Sequence, residues 1–155
     1  MVTLDDKDRK ILELLQTDAL TPVAEVANQV GLSTTPCWRR IQKLEEDGFI
    51  RKRVALLDRG KLNVGVTVFV AVKATRHSAT WLSEFRAILD SVPEVVEAYR
   101  LSGDIDYLLK IVVPSIAAYD AVYKRLIELV EFADVSSSFA MEDMKFTTAL
   151  PLKYS

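Results

Sequence analysis

Three short amphipathic segments follow one another in the first 48 residues, and they constrain the fold more than any other feature of the chain. The first, over residues 5–17, begins at Asp5, which can cap a helix, and carries an apolar stripe at helical spacing. The second begins at Thr21-Pro22, with the threonine as cap and the proline at the first helical position. Gly31 then ends it, because glycine readily adopts the left-handed conformation found after many helices. The pattern predicts two short helices joined to a third.

The third segment begins at Ser33, which we expect to act as its cap, and ends at Gly48. Cys37, Ile41 and Leu44 fall at positions i, i+4 and i+7, which gives this helix one inward face. A tight glycine-containing turn between a second and a third helix is typical of the helix-turn-helix, whose last helix enters the major groove of DNA. The N-terminal region is therefore interpreted as a DNA-binding element.

Hydroxyl and basic side chains occupy the rest of the third helix, and a basic segment follows it. The hydroxyls at the helix start can approach base edges, the positive end of the helix dipole favours phosphate, and arginine can clamp guanine or phosphate. Residues 50–57 are predicted to form a strand that acts as a wing on the DNA backbone. The predicted DNA-binding residues are Ser33, Thr34, Thr35, Arg39, Arg40, Lys43, Arg51, Lys52 and Arg53. Two alternatives stay open: helix-start hydroxyls are commonly caps, and Trp38 suits burial in a core or an interface.

The distribution of charge supports this interpretation better than the total does. The whole chain carries a net charge of −2, which by itself argues against nucleic acid. Residues 1–32 hold three basic and six acidic side chains, whereas residues 33–53 hold six basic and three acidic ones. A DNA-binding protein needs a local basic footprint and not a basic chain. The same charges would also fit an ordinary solvated helix surface.

The second half of the chain changes to a pattern of strands and helices. Predicted strands cover residues 64–74, 95–101, 107–113 and 135–147, and predicted helices cover residues 80–90 and 115–130. The order strand-helix-strand-strand-helix-strand is the ferredoxin-like arrangement. We therefore predict an α+β fold with a winged helix-turn-helix domain over residues 1–57, a linker over 58–64, and a ferredoxin-like (ACT-like) domain over 65–155.

Composition argues against several other classes of protein. Cys37 is the single cysteine, which excludes an internal disulfide framework, fits a reducing cytoplasm, and is expected to be a small core residue. His77 is the single histidine and is expected to be solvated in a polar loop, so neither a catalytic triad nor a zinc site is predicted. The chain has no apolar run long enough to span a membrane, and its acidic, polar start does not resemble a signal peptide. We predict no cofactor and no bound metal.

Several stretches, taken in order, carry a family resemblance. They are Leu4–Leu12, Gly31–Arg40, Leu44–Ile50, and Leu101–Tyr107 with its Gly-Asp-x-Asp-Tyr turn. Together they resemble the Lrp/AsnC (feast/famine) family of transcription regulators over essentially the whole chain. Within that family, residues 34–38, 54–58 and 137–142 are most similar to proteobacterial members that control cysteine catabolism or branched-chain keto-acid breakdown.

The resemblance implies a sequence-specific transcription regulator that works in the cytoplasm, on the nucleoid, as a homo-oligomer. Such proteins pair their ferredoxin-like domains into dimers, often assemble further to tetramers or octamers, and bind an amino acid or related effector where dimers meet. The effector-binding residues that it implies are Leu101, Ser102, Gly103, Asp104, Asp106, Tyr107, Ser136, Ser137 and Ser138. Backbone N–H groups and serine hydroxyls can bind the carboxylate of a zwitterion, and an aspartate can bind its ammonium group.

Without the resemblance, simple turn chemistry is the favoured interpretation of the Gly103-Asp104 pair. Asp104 and Asp106 as a metal pair are disfavoured, because the sequence offers no third ligand. An enzyme built on the ferredoxin-like half and a protein-docking winged helix are the competing functions. Against an enzyme, the sequence shows neither a phosphate loop nor a nucleophile–base pair. Against a protein-docking winged helix, the predicted third helix is basic. The sequence therefore predicts a regulator and not an enzyme.

Overall fold

The computed structural model describes residues 3–75 and 78–155, which divide into two compact units. One unit runs up to Leu56 and also includes Lys145–Ser155, and the other is Leu57–Met144. The sequence assigns the whole stretch after residue 64 to one domain, whereas the structure groups the last eleven residues with the N-terminal helices. Leu152 explains the difference, because it packs against the apolar core of the first unit. His77, predicted to be solvated, lies outside the described residues.

The first unit contains the three predicted helices, α1 (Asp6–Thr17), α2 (Val23–Val30) and α3 (Thr34–Glu46). Their inward faces are those that the apolar spacing predicts, because one stripe on each helix must leave water. The buried residues are Ile11, Leu12 and Leu15 of α1, Val26, Ala27 and Val30 of α2, and Cys37, Ile41 and Leu44 of α3. This confirms the predicted core of the helical region.

The cap of α1 is confirmed and the cap of α2 is not. The carboxylate of Asp5 accepts the backbone N–H of Asp8 at 2.8 Å, and the Asp8 carboxylate accepts the N–H of Asp5 at 3.2 Å, so the two form a capping box. Thr21 does not cap α2, because Pro22 occupies the N-cap position. The Thr21 hydroxyl instead donates to the carbonyl of Asp18 at 2.8 Å.

The predicted cap of α3 is wrong for a local chemical reason. Ser33 occupies the N-cap position with an extended backbone, but its side chain makes no capping bond. A serine cap commonly bonds the third backbone N–H of a helix, and here that residue is Pro36, which has no N–H. The two glycine stops are confirmed, since Gly31 and Gly48 adopt φ angles of 67° and 78°.

The strand predicted over residues 50–57 is not formed. Residues 51–58 contain no helix or strand in the structure. A strand needs hydrogen-bonding partners along its edge, and no other described segment of the chain pairs with this one. The basic segment is therefore an irregular stretch in a single chain.

The second unit has the predicted strand-helix-strand-strand-helix-strand order. Its elements are β1 (Val66–Ala74), α4 (Ala79–Ser91), β2 (Val95–Arg100), β3 (Tyr107–Val113), α5 (Ile116–Leu129) and β4 (Phe132–Phe139). The strands form one antiparallel sheet in the order β2-β3-β1-β4, which confirms the ferredoxin-like fold.

The predicted bounds of the last strand, 135–147, are wrong at both ends. β4 begins at Phe132 and ends at Phe139, which pairs with Val68 near the start of β1. Ala140 still donates its N–H to Thr67 at 2.9 Å. Past Thr67, β1 has only Val66 left, so it cannot pair with a strand that continues to residue 147.

The two faces of the sheet differ. Both helices pack on one face of the sheet. There, Val68, Val70 and Val72 of β1 share a buried core with Phe85 of α4. Successive side chains of a strand point to opposite faces, so the strand registers define a second face without a helix. This open sheet face contains Thr67, Phe69, Ala71, Glu97, Tyr99, Leu108, Lys110, Val112, Ser136 and Ser138.

Candidate nucleic-acid interface and ligand-binding region

The start of α3 presents three exposed hydroxyl side chains, those of Ser33, Thr34 and Thr35. Because Ser33 makes no capping bond, its hydroxyl is not committed to closing the helix. The backbone N–H groups of the first turn also face outward at the positive end of the helix dipole. This end of α3 therefore offers donors to an anionic or polar partner.

One turn further along, Arg39 and Lys43 lie four residues apart on α3, and both are exposed. Residues with this spacing share one face of a helix. Neither side chain forms an ion pair with any described residue. Two cations thus stand next to each other on the outer surface of the helix, opposite its buried side.

Arg40 lies beside them but serves a different purpose. Its guanidinium donates to the carboxylates of Asp5 and Asp8, both at 2.7 Å, and so connects α3 to the capping box of α1. The hydrogen bonds to Asp8 and then Asp5 raise the pKa of Arg40 above its ordinary value. The pKa of Asp5 is lowered, first by the backbone N–H of Asp8 and then by Arg40. The structure therefore gives Arg40 a role in holding two helices together, which sequence spacing did not reveal.

The predicted wing residues are all exposed in the irregular segment after α3. Arg53 donates to the Glu45 carboxylate of α3 at 2.6 Å and so connects the segment back to the helix. Arg51 and Lys52 form no ion pair within the described chain. These two cations extend the basic surface of α3 past its C-terminal end.

Trp38 and Cys37 are neighbours in sequence with opposite environments. Trp38 is 50% exposed, so core burial is wrong for this residue, and it shares the outer face of α3 with Thr34 at i, i+4 spacing. Cys37 is fully buried, as predicted, and burial raises the pKa of its thiol. A buried, protonated thiol of this kind is a core residue and a poor nucleophile.

In the second unit, the turn between β2 and β3 carries most of the predicted effector-binding residues. The N–H of Leu101 donates to the carbonyl of Asp106 at 2.8 Å and closes the turn. Gly103 has a φ of 136°, a conformation that a residue with a side chain rarely adopts. Ser102 and Asp104 are exposed on either side of it. The turn therefore presents polar groups from a backbone shape that glycine makes possible.

Asp106 ties this turn to the end of β1. Its backbone N–H donates to the carbonyl of Val72 at 3.0 Å, and its carboxylate accepts the N–H of Ala74 at 2.8 Å. Tyr107, the next residue, is buried with its ring centroid 5.5 Å from that of Trp81 and 5.1 Å from that of Phe85. Both side chains thus contribute to the fold beneath the turn.

The three predicted serines are not at the start of the last strand, because β4 begins four residues before Ser136. They also do not share a face. Ser136 and Ser138 pair with Ala71 and Phe69 and lie on the open sheet face. Ser137 lies on the helix-covered face, where its hydroxyl is hydrogen-bonded to that of Tyr119. Desolvation by burial raises the pKa of Tyr119.

The described residues contain neither a candidate metal site nor a helix that could span a membrane. Across residues 3–75 and 78–155, no group of three or more histidine, cysteine, aspartate or glutamate side chains is arranged to hold a metal ion. None of the helices formed by those residues is long and apolar enough to cross a membrane.

Comparison with protein families identifies both halves of the chain. Residues 4–45 match the AsnC-type helix-turn-helix domain, and residues 67–150 match the Lrp/AsnC ligand binding domain. The first match covers α1, α2 and all but the last residue of α3. The second covers all but the first residue of the antiparallel sheet and includes the turn that carries Gly103.

Two curated relatives cover almost the entire chain. The glutamate uptake regulatory protein of Zymomonas mobilis is 53% identical over 96% of this chain and 91% of its own length. The DNA-binding transcriptional activator DecR of Escherichia coli is 44% identical over 97% of this chain and 99% of its own. DecR fits the finer resemblance seen in the sequence, whereas similarity to a glutamate uptake regulator was not anticipated.

Two solved structures match with similar completeness. An AsnC family transcriptional regulator from Agrobacterium tumefaciens is 62% identical, with a TM-score of 0.95 over 97% of this chain and 99% of the other. The transcriptional regulator NMB0573 of Neisseria meningitidis, solved with L-methionine, is 35% identical, with a TM-score of 0.93 over 98% of this chain and 99% of the other.

A helix-turn-helix with an exposed basic helix, joined to a ligand-binding ferredoxin-like domain, defines a DNA-binding transcription regulator and not an enzyme. The family matches, at these identities and coverages, make the assignment specific. The chain belongs to the Lrp/AsnC family of transcription regulators.

Proposed function

We propose that α3 enters the major groove of double-stranded DNA and that an amino acid bound to the second unit of an oligomer changes this binding. The exposed pair Arg39 and Lys43 is the observation that carries the proposal, because these two cations share the outer face of α3 and form no ion pair with any described residue. Arg39 would contact base edges or a phosphate, and Lys43 a phosphate. Ser33, Thr34 and Thr35 would approach the bases at the N-terminal end of the helix.

The other basic residues fall into two groups in this proposal. Arg51, Lys52 and Arg53 would contact the DNA backbone as an irregular wing, a role that needs positive charge but no sequence reading. Arg40 belongs to the predicted DNA-binding set, yet its guanidinium is held by two carboxylates. We therefore assign it the positioning of α3 against α1 and not a base contact.

A homodimer formed through the open sheet face is part of the proposal. Phe69 and Tyr99 are 38% and 51% exposed on this face, and the half-buried apolar Leu108, which pairs with Tyr99, lies on the strand between theirs. Such a surface is a candidate for association with a second copy. A dimer would place two copies of α3 about 34 Å apart, one turn of DNA, so the operator would be an approximate inverted repeat. Further assembly to tetramers or octamers would bring several dimers onto one DNA.

The effector is proposed to be an amino acid bound where dimers meet. The Neisseria relative was solved with L-methionine, and the Zymomonas relative is named for glutamate uptake. Leu101, Ser102, Gly103 and Asp104 present backbone and side-chain polar groups that suit a zwitterion. Asp106, Tyr107 and Ser137 would support that site from beneath, while Ser136 and Ser138 lie on the open sheet face. The ligand would change DNA binding through different affinities for two assembly states.

A regulator that reads chromosomal DNA works where that DNA is, so we place this protein in the cytoplasm, associated with the nucleoid. No resident cofactor is part of the proposal. The effector would be a reversibly bound ligand.

The direct experiment is a mobility-shift assay with DNA from upstream of the gene that encodes this protein. Specific binding should weaken steeply as salt increases, because phosphate contacts release counterions. Wild-type protein that is folded yet makes no specific complex at moderate salt would overturn the proposal. Binding that salt does not affect would point to an apolar docking function instead.

The effector can be sought separately, by thermal unfolding in the presence of each of the twenty amino acids. A ligand that binds only the folded protein raises its unfolding temperature. Absence of any selective shift would overturn the amino-acid part of the proposal and leave the DNA part standing.

A further inference from the structure

The chain passes between its two units twice, after Leu56 and again after Met144. Arg59 lies within three residues of the first passage and Asp143 within two of the second, and the guanidinium of Arg59 donates to the Asp143 carboxylate. The same guanidinium donates to the hydroxyl of Thr67, which is 3% exposed at the start of β1. The Arg59 side chain, which lies near the first passage, therefore binds both Asp143 near the second passage and Thr67 of β1.

After the second passage, the chain docks on α1 of the first unit. The side-chain amide of Gln16 donates to the carbonyl of Leu150 at 3.1 Å and accepts the N–H of Leu150 at 2.8 Å. Two hydrogen bonds thus join the Gln16 side chain to the backbone of one residue. Arg9 adds a second anchor, because its Nε donates to the main-chain oxygen of Ser155 at 3.1 Å.

Apolar contacts and a short helix complete the docking. Leu152 packs against the buried core of the first unit and begins a 3₁₀ turn, Leu152–Tyr154. The Ser155 hydroxyl donates to the carbonyl of Leu152 at 2.6 Å and closes that turn. A segment with paired backbone groups and a core residue is a built part of the unit and not a loose end.

The docked segment also borders the basic wing. Leu150 and Leu152 line a groove of about 730 Å³ together with α1 and residues 49–54, which include Arg51, Lys52 and Arg53. The segment and the wing therefore form two parts of one groove lining in the first unit. On the other side, β4 with its serines ends only three residues before Glu142-Asp143.

From these contacts we propose that residues 143–155 form a strap that couples the two units. Arg59 anchors its start in the ligand-binding unit, and Gln16 and Arg9 anchor its end on α1, beside the wing. A change at the end of β4 is transmitted along the strap to α1 and to the wing. In this proposal Gln16 and Arg59 are positioning residues, which act through their contacts with the strap. The effect on DNA rests on the proposed function, whereas the coupling of the units does not.

The coupling is tested by hydrogen–deuterium exchange on the full chain, without DNA or effector. Arg59→Ala breaks the anchor in the second unit, and we expect about tenfold faster exchange in peptides covering residues 145–155 and 49–54 of the first unit. Arg86→Ala, at an exposed position of α4, is the matched control and should change neither. Unchanged exchange in the first unit of Arg59→Ala would overturn the proposal. If Arg59→Ala fails to fold, the same exchange measurement is made on Asp143→Ala, which removes the exposed carboxylate that pairs with Arg59.

The DNA side is tested with Gln16→Ala against Gln29→Ala. The control removes an amide that donates only to Glu25 within its own helix. Gln16→Ala should speed exchange over residues 145–155 and weaken DNA binding about threefold to tenfold, while Gln29→Ala keeps wild-type values. Faster exchange with wild-type DNA affinity would overturn the link from strap to wing. Wild-type protein that makes no specific complex would refute the proposed function, and the exchange results would still decide the strap.

Discussion

Helix α3 and the turn between β2 and β3 use their polar residues in different ways. On α3, the fold uses the buried stripe and Arg40, and Arg39 and Lys43 lie on the outside without an ion pair to any described residue. In the ligand region, the fold itself uses Asp106 and Tyr107. One chain therefore presents a continuous exposed basic surface on α3, while its predicted ligand residues are divided between a turn and the two faces of a sheet. That difference fits a ligand site completed only by assembly.

The largest effect expected from this comparison is on stability, at Tyr107. Tyr107→Ala removes a ring packed between Trp81 and Phe85 and should lower the free energy of unfolding by about 3 kcal/mol. Trp38→Ala, at a half-exposed position of α3, is the matched control and should cost less than about 1 kcal/mol. Urea unfolding measures both. Equal losses would mean that the two regions are not built differently.

Arg39→Ala should come next in size, acting on DNA binding alone. Loss of a base or phosphate contact is expected to weaken specific binding by about 1–3 kcal/mol, with the unfolding temperature and the oligomeric state unchanged. Lys43→Ala should weaken binding for all sequences and reduce the salt slope by about one charge. Mobility shifts at several salt concentrations test this, with Arg86→Ala as control. Wild-type affinity in Arg39→Ala would remove the main support for the proposed interface.

Asp104→Ala should leave DNA binding and stability unchanged and reduce the effector response about tenfold, as expected for the loss of one charge-assisted contact. Its side chain is exposed and the turn is closed by backbone bonds, so the fold does not depend on it. The measurement is the shift in unfolding temperature produced by the amino acid found in the twenty-compound screen. Ser83→Ala, exposed on α4, is the control. A normal response in Asp104→Ala would rule out the proposed ammonium contact.

Arg40→Ala should destabilise the first unit by about 1 kcal/mol and reduce DNA affinity only through that loss. Its guanidinium is partly exposed, so its two ion pairs are weaker than buried ones. Chemical unfolding gives the stability, and DNA affinity is compared at a temperature where the variant is fully folded. Under those conditions, a large loss of affinity would show that Arg40 contacts DNA after all.

Local sequence pattern predicts the parts of this molecule that depend on local physics. Apolar spacing gives the inward faces of all three N-terminal helices, and Gly31 and Gly48 mark real helix ends. The pattern fails where a distant partner decides. Gln16 meets Leu150 across 134 positions of sequence, and no periodicity records that contact.

Three further differences show the same limit. The wing lacks a strand because no described segment pairs with it. β4 ends near residue 139 because its pairing partner, β1, begins only at Val66. Arg40 meets Asp5 across 35 positions, so its charge alone suggested a DNA contact. Ser33 is a different case, because Pro36, three residues away, already showed that a serine cap lacks its usual N–H.

The smallest predicted effect concerns pH and the capping box of α1. The pKa of Asp5 is lowered in the folded protein, so its ionised form stabilises the first unit at pH values above the ordinary carboxyl value of 3.8. That contribution is lost as pH falls below about 4 and through the lowered pKa. Asp5→Asn keeps a capping oxygen but removes the charge, so it should be less stable than wild type near pH 7 and should approach it in acid. Thermal unfolding followed by circular dichroism across pH 2–7 tests this, with Glu46→Gln at an exposed position of α3 as control. A stability difference that does not narrow in acid would show that the capping geometry matters and the charge does not.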